Sequence, residues 1–306
     1  MNNTFLYIIT VIIWGSTWIA INYQLGDVPT EASLCYRFGL AAIVLLAFCR
    51  WKNYSLSFKA KAHIQFACFG LTLFGCNYFL LYSAQEHINS ALTCIGFSLI
   101  MLFNIINASI WYKTKISGRV YLGGALGLIG IVTLFWPEIN NTTLGREALI
   151  GFSLCLAGTL FASVGNMLSI RNQKLNYALV PSIAWGMTYG AVFMAILLFI
   201  QGKEFSFSYT TSYIVSLIYL SIFGSVIAFG SYLTLLNNIG AHKASYASIM
   251  FPAIAVIIST FVEDFNWSSY TVVGLSCIFI GNLVVLSPVN KRKKTSIEPV
   301  DGACIT

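Results

Sequence analysis

The sequence predicts an all-α polytopic membrane protein, with ten transmembrane helices arranged as two inverted five-helix repeats. Three observations lead there. The 306 residues are 58% apolar and only 9% charged, with a mean hydropathy of +0.78, which leaves too little polar surface to cover a water-facing globule. The apolar residues fall into ten runs of about 20, the length that crosses hydrocarbon as a helix. These runs are continuous rather than alternating, which disfavours a β-barrel. Finally, short patterns recur about halfway along the chain.

Taken in order, the first run, 4–22, lacks the basic start and small-residue cleavage site of a signal peptide, so it reads as a span. It carries Trp14, Ser16, Thr17 and Trp18. The second, 30–49, holds Arg37, the one charge well inside a predicted span, about 10 Å below the helix end at 1.5 Å per residue. Charge at that depth faces the bundle or water and has a partner. One reading makes Arg37 an anchor whose guanidinium grips the carboxylate or phosphate of a passing solute. The other makes it a packing clamp to Glu31 or to helix-end carbonyls.

The third run, 63–85, places Gly75, Tyr78, Tyr82 and Gln85 on one face, because residues three, four and seven apart share a side. In the fourth, 88–112, Asn104 pairs with Asn107, and the fifth, 119–137, has Gly123 and Gly127 at a spacing that suits close helix packing. A polar linker, 139–146, follows. The sixth run, 147–170, aligns Thr159, Ser163 and Asn166; the seventh, 178–200, brings Trp185 and Tyr189. The eighth, 211–237, aligns Ser221, Ser225 and Tyr232, and the ninth, 243–261, aligns Ser245, Ser248 and Pro252, the proline freeing a backbone carbonyl. The tenth, 268–287, leads to a basic tail, 288–306.

Small and hydroxyl residues also sit at helix–helix interfaces, where they bond across for about 1 kcal/mol or less. The polar stripes concentrate on runs three, four, six, eight and nine, however, which points to a lined cavity. The rings of Trp14, Trp18, Trp185 and Tyr189 could stack on an apolar or cationic ligand there, or form an interface belt.

With a cytoplasmic N-terminus, the inner segments hold Arg50, Lys52, Lys59, Lys61, Lys113, Lys115, Arg119, Arg171, Lys174, Lys243, Lys291, Arg292, Lys293 and Lys294, fourteen of the 17 basic residues. Arg146 and Lys203 fall outside. This places both termini in the cytoplasm and explains the net charge of +7 without nucleic acid. The eight cysteines, Cys35, Cys49, Cys68, Cys76, Cys94, Cys155, Cys277 and Cys304, form no CxxC pair and imply neither disulfide framework nor metal site. Asp27, Glu31, Glu86, Glu138, Glu147, Glu204, Glu263 and Asp264 sit at or near the outer face, and His63, His87 and His242 at span ends. No carboxylate relay lies at mid-membrane depth, so uniport, exchange, or proton coupling through boundary groups such as Glu31 or Glu263 is expected.

A shift of 151 residues lays Gly123 on Gly274 and Gly130 on Gly281; one of 149 lays Phe74-Gly75 on Phe223-Gly224; one of 143 lays Gly15-Ser16 on Gly158-Thr159. Two five-helix units, 1–138 and 147–287, follow. Five is odd, so the units enter the membrane from opposite sides, the inverted arrangement of many secondary carriers, in which alternating access comes from the architecture.

Trp14-Gly15-Ser16-Thr17-Trp18, Pro29 with Arg37-Phe38, Pro252, Glu263 and the Gly274/Gly281 pair resemble the EamA-type branch of the drug/metabolite transporter (DMT) superfamily over about 5–287. The resemblance implies an inner-membrane carrier exporting amino acids or other small metabolites. Helices one to four and six to nine would surround a central cavity, with five and ten outside. Met101 stands where a proline matching Pro252 is expected, and Tyr112-Lys113 where the family often has an acid.

The expected function is therefore metabolite efflux by alternating access, in a bacterial inner (plasma) membrane. Candidate substrate-contacting residues are Trp14, Ser16, Thr17, Arg37, Tyr78, Tyr82, Asn104, Thr159, Ser163, Trp185, Tyr189, Tyr232, Ser248 and Pro252. Expected partners are a small-molecule substrate, membrane lipids and protons as a candidate coupling ion, in a monomer or homodimer. No cofactor, catalytic group or phosphate loop is read; Gly123-Gly124-Ala125-Leu126-Gly127 lacks the lysine and preceding strand of one. A lipid flippase or scramblase, a drug efflux carrier, an intramembrane enzyme and a non-transporting subunit are the rivals. An enzyme would need a nucleophile with a base, or a metal cluster, at depth.

Overall fold

In hydrocarbon a chain satisfies its backbone groups within helices, and each predicted run is built of helix where it is described, the fourth broken by a turn at Ser98 and Leu99. The computed structural model describes residues 2–113, 118–140, 145–239, 246–263 and 267–286. Lys115, His242, Lys243, Ser245, Asp264, Cys304, the linker's middle (141–144), the basic tail and the Glu138 side chain lie outside the described residues.

The helices are α1 (Asn3–Asn22), α2 (Thr30–Trp51), α3 (Ala60–Gln85), α4 (Ser90–Tyr112), α5 (Gly118–Asn140), α6 (Gly145–Lys174), α7 (Leu179–Ile200), α8 (Thr211–Leu236), α9 (Tyr246–Val262) and α10 (Ser269–Leu286). Among the described residues there is no strand. Seven helices, α1 to α4 and α6 to α8, are long and apolar enough to cross a membrane. The other three offer shorter apolar stretches, Tyr121–Leu134, Met250–Val262 and Ser269–Gly281. Large apolar side chains such as Ile43, Phe199 and Leu283 are exposed on the helices' outer surfaces, as an integral membrane protein requires.

Local chemistry fixes the ends. Asn2 and Asn89 accept hydrogen bonds from Thr4 N and Leu92 N and cap α1 and α4. After α2, α6 and α7 the chain turns through a left-handed residue, Asn53, Asn176 and Gly202. The following amide (Tyr54, Tyr177, Lys203) bonds five residues back to Cys49, Asn172 and Leu198, closing carbonyls the helix would leave open. Gly and Asn are favoured at such a turn because a left-handed backbone crowds an ordinary Cβ, although Lys113 takes the same conformation after α4.

Both α3 and α8 widen into a π-helical segment, at Leu71–Cys76 and Leu220–Ile227. Each spans one of the Phe-Gly pairs that the repeat comparison aligned, Phe74-Gly75 and Phe223-Gly224.

α5 and α10 pack on each other through glycine. A Cβ on Gly130 would lie 2.6 Å from the Gly274 carbonyl oxygen, one on Gly274 2.6 Å from that of Gly130, and one on Gly281 2.6 Å from that of Gly123. As the residue number rises along α5 it falls along α10, so the two run antiparallel. α2 and α7 are antiparallel too, for the start of α2 meets the end of α7 where Lys203 pairs with Glu31 at 2.8 Å. α1 packs on α8 and α9, and α6 packs on α3 and α4. Exchanging the halves turns one set of contacts into the other.

Candidate functional site

An internal cavity lies where six helices converge. α1 contributes Trp14, Thr17, Trp18 and Ile21; α3 contributes Leu73, Asn77, Tyr78 and Leu81; α4 contributes Phe97 and Ile100. From the other half, α6 contributes Ala162 and Asn166, α8 contributes Phe229 and Tyr232, and α9 contributes Ser248 and Phe251. None of the lining side chains is charged. The free volume is about 60 Å³, room for a few waters and below the size of a drug-sized ligand site, so this conformation is constricted.

Aromatic packing closes it. Trp14 stands edge-on to Phe229 at 4.9 Å and to Phe251 at 5.6 Å, and its Nε1 donates to the Gly224 carbonyl at 3.1 Å. Trp18 tilts against Phe97 at 5.3 Å. Pro252 has no amide to offer the carbonyl of Ser248, four residues back, so the proline stands behind a lining residue rather than in the lining itself.

Five of the fourteen sequence-predicted residues line the cavity: Trp14, Thr17, Tyr78, Tyr232 and Ser248. Arg37 does not. It is 1% exposed and lies behind Tyr78, its guanidinium carbon 4.5 Å from that ring's centroid. Its Nε donates to Ser225 Oγ and its Nη1 to Tyr82 Oη, both at 3.1 Å. Gly224 makes room, since a Cβ there would sit 3.4 Å from Arg37 Nη2. The expected clamp to Glu31 is replaced by these contacts, because Glu31 is taken by Lys203. Tyr82 is thus Arg37's partner rather than a wall.

The polar stripe of α6 faces α4, with Asn166 in the wall and Thr159 and Ser163 outside the lining. Asn107 Nδ2 donates to Ser163 Oγ at 2.8 Å, Asn166 Nδ2 to Asn104 Oδ1 at 3.3 Å, and Thr159 Oγ1 to its own helix at Cys155 O. Ser16 is engaged by Tyr219 Oη at 2.6 Å.

Trp185 and Tyr189 lie away from the cavity. Trp185 Nε1 donates to the Leu56 carbonyl at 3.3 Å and Tyr189 Oη meets His63 Nδ1 at 2.9 Å. The same device occurs once more with the halves exchanged: Tyr36 Oη of α2 donates to the Ser206 carbonyl at 2.9 Å. In each case an aromatic residue of a half's second helix holds the extended connection of the other half. That structural duty is what the Trp185 N–H does in this conformation.

Asn77, Phe97, Phe229 and Phe251 line the cavity without having been singled out. Phe229 and Phe251 lie three residues from Tyr232 and Ser248, so the helical spacing around those residues could have found them.

At the end where α1 finishes, Glu263 joins both halves. Its Oε1 accepts from Asn22 Nδ2 at 3.1 Å, and its Oε2 accepts from Ser90 Oγ at 2.6 Å and from Ser259 Oγ. A separate polar pocket of about 430 Å³ is lined by Asp27, Glu31, Glu86 and Lys203 among others.

A model of the EamA-like transporter family matches the chain over residues 3–136 and again over 148–287. The chain is 25% identical over 260 residues to "Uncharacterized transporter YoaV" of Bacillus subtilis (strain 168), covering 84% of this chain and 87% of the relative. To "Uncharacterized inner membrane transporter YedA" of Escherichia coli (strain K12) it is 25% identical over 250 residues, 81% of this chain and 79% of the relative. To the "Probable amino-acid metabolite efflux pump" of Escherichia coli (strain K12) it is 21% identical over 303 residues, 95% of this chain and 97% of the relative. A solved structure described as "Crystal structure of protein" matches with a TM-score of 0.68 at 17% identity, over 92% of this chain and 95% of that one, a likeness of fold alone.

Proposed function

We propose, because the chain belongs to the EamA-like transporter family, that it is a secondary carrier moving small organic metabolites, amino acids or related compounds, outward across the inner membrane. The ten helices are read as spans, in two oppositely inserted units of five, with both termini in the cytoplasm. The observation that carries this reading is the origin of the cavity wall: α1, α3 and α4 from one half and α6, α8 and α9 from the other. A chamber walled by three helices from each of two related units can open by rocking one against the other, toward either face.

The antiparallel pairs α2/α7 and α5/α10 support opposite insertion, as do the reciprocal Tyr36–Ser206 and Trp185–Leu56 bonds. The efflux pump among the relatives supports the substrate class and direction. On this reading the Glu263 cluster and the Glu31–Lys203 pair hold the outer end shut, and protonation of Glu31 or Glu263 is one route by which a gradient could act on it. Arg37 sets the position of Tyr78 in the wall.

Counterflow in proteoliposomes tests the reading. Preloaded unlabelled metabolite should accelerate entry of the labelled compound, with candidates chosen from metabolites that appear outside cells with the gene and not outside cells without it. No acceleration for any of them would reject the carrier. Transport in the Glu31→Gln, Glu263→Gln protein that still stops when the pH gradient is removed would reject coupling through those two groups.

A further inference from the structure

Two tryptophans four residues apart line the cavity, and the fold uses only one of their N–H groups. Trp14 donates to Gly224. Trp18, 6% exposed, has no partner for its Nε1 among the described residues. Asn77, 2% exposed and on the same cavity, has no partner for its Oδ1. Its other amide atom is tied down, Nδ2 donating to the Leu73 carbonyl at 3.0 Å in the π-helical segment, so the carbonyl end is the one left over. A buried donor and a buried acceptor left unmet each weaken a fold, and both belong to residues that line the same chamber.

The surrounding charge selects among ligands. The wall is uncharged, and a cation stands behind it: the Arg37 guanidinium occupies one side of the Tyr78 ring, with no carboxylate within ion-pair distance among the described residues. A cationic solute would meet repulsion from Arg37 at low dielectric. An anion would be drawn by the same charge but would lose its water without touching it, since Arg37 is 1% exposed and lies behind the Tyr78 ring. A neutral planar group with one donor and one acceptor suffers neither cost, and the aromatic walls offer it faces to lie against.

We infer that this cavity takes an uncharged, planar, amide-like solute, an aromatic carboxamide, lactam or nucleobase, which accepts from Trp18 Nε1 and donates to Asn77 Oδ1. The inference rests on the carrier reading and sharpens its substrate class to neutral amide-like solutes in place of free amino acids, whose zwitterion carries both disfavoured charges. With about 60 Å³ free, the walls part as such a solute enters.

Benzamide, benzoate and benzylamine carry the same ring with no charge, a negative charge and a positive charge. Each is titrated into the purified full-length protein, with tryptophan fluorescence and the shift in Tm as readouts. Benzamide should bind at least about tenfold more tightly than the other two, and Trp18→Phe and Asn77→Leu should each weaken it about tenfold, the worth of one lost hydrogen bond. Benzamide that fails to bind, that binds no better than its charged analogues, or that ignores both substitutions overturns the site. If the variants do not fold, the ranking of the three rings on the unaltered protein decides. Counterflow with labelled benzamide separates the two levels. Binding without exchange rejects the carrier and keeps the site; exchange of other metabolites without benzamide binding rejects the site and keeps the carrier.

Discussion

Replacing Arg37 probes how the wall is held. Its two charge-assisted hydrogen bonds, to Ser225 and Tyr82, contribute about 1.5–3 kcal/mol each, and a desolvated cation–π contact such as that with Tyr78 contributes about 2 kcal/mol. Against this roughly 5–8 kcal/mol stands a desolvation cost of several kcal/mol for the buried charge. The net contribution to stability is therefore small, while the contribution to the placement of Tyr78 is large. Arg37→Gln should leave a folded protein whose transport falls at least tenfold. A double-mutant cycle of Arg37→Gln with Tyr82→Phe, read by unfolding in detergent, should give a coupling of about 1.5–3 kcal/mol. Arg37→Lys should rescue only partly, because a compact ammonium cannot reach both oxygens in the same fork. Single effects that sum to the double within about 0.5 kcal/mol, or normal transport in folded Arg37→Gln, would refute the reasoning.

Other perturbations reach other parts of the account. Gly130→Val and Gly274→Val place methyl groups against a carbonyl that a bare Cβ already approaches to 2.6 Å; each should cost about 1–3 kcal/mol, in similar measure, by unfolding in detergent. Lys203→Met strips the buried Glu31 carboxylate of its partner and should destabilise more than the Glu31→Gln, Lys203→Met pair, in which no charge is left behind; thermal unfolding ranks the two. Glu263 accepts four charge-assisted bonds, one of them from the Ser90 amide, and Glu263→Gln leaves neutral ones of about half the strength, so hydrogen exchange at the start of α4, Ser90 to Leu92, should quicken while the α7 amides stay unchanged. Trp185→Phe, which loses only the bond to Leu56, should leave transport within about twofold of normal, since the expected loss of about 1 kcal/mol falls on the fold.

The helices were legible because each is a continuous apolar run, and the paired glycines of α5 and α10 because close approach admits little else. The Phe-Gly match proved to mark the two π-helical segments. Those same segments hid Asn77. An extra residue in one turn advances the helix's facing, so a stripe counted at three, four and seven residues from Gly75 finds Tyr78 and misses its neighbour. The partner of Arg37 was out of reach for another reason. Glu31 is six residues away, about 120° around the helix at 3.6 residues per turn, and the groups that do bind Arg37 come from α3 and α8. Trp185 looks in sequence like any aromatic that could meet a ligand; the carbonyl that claims it belongs to Leu56, far away along the chain.

The central claim, opposite insertion of two related halves, is tested most directly at the two equivalent connections after α2 and α7. Ser55 and Glu204 are both exposed and lie outside the helices. In a cysteine-free background, Ser55→Cys and Glu204→Cys are labelled in intact cells with a membrane-impermeant thiol reagent and again in inverted vesicles. The account predicts that Cys at 204 reacts only in intact cells and Cys at 55 only in inverted vesicles. Labelling of both from the same side would contradict it.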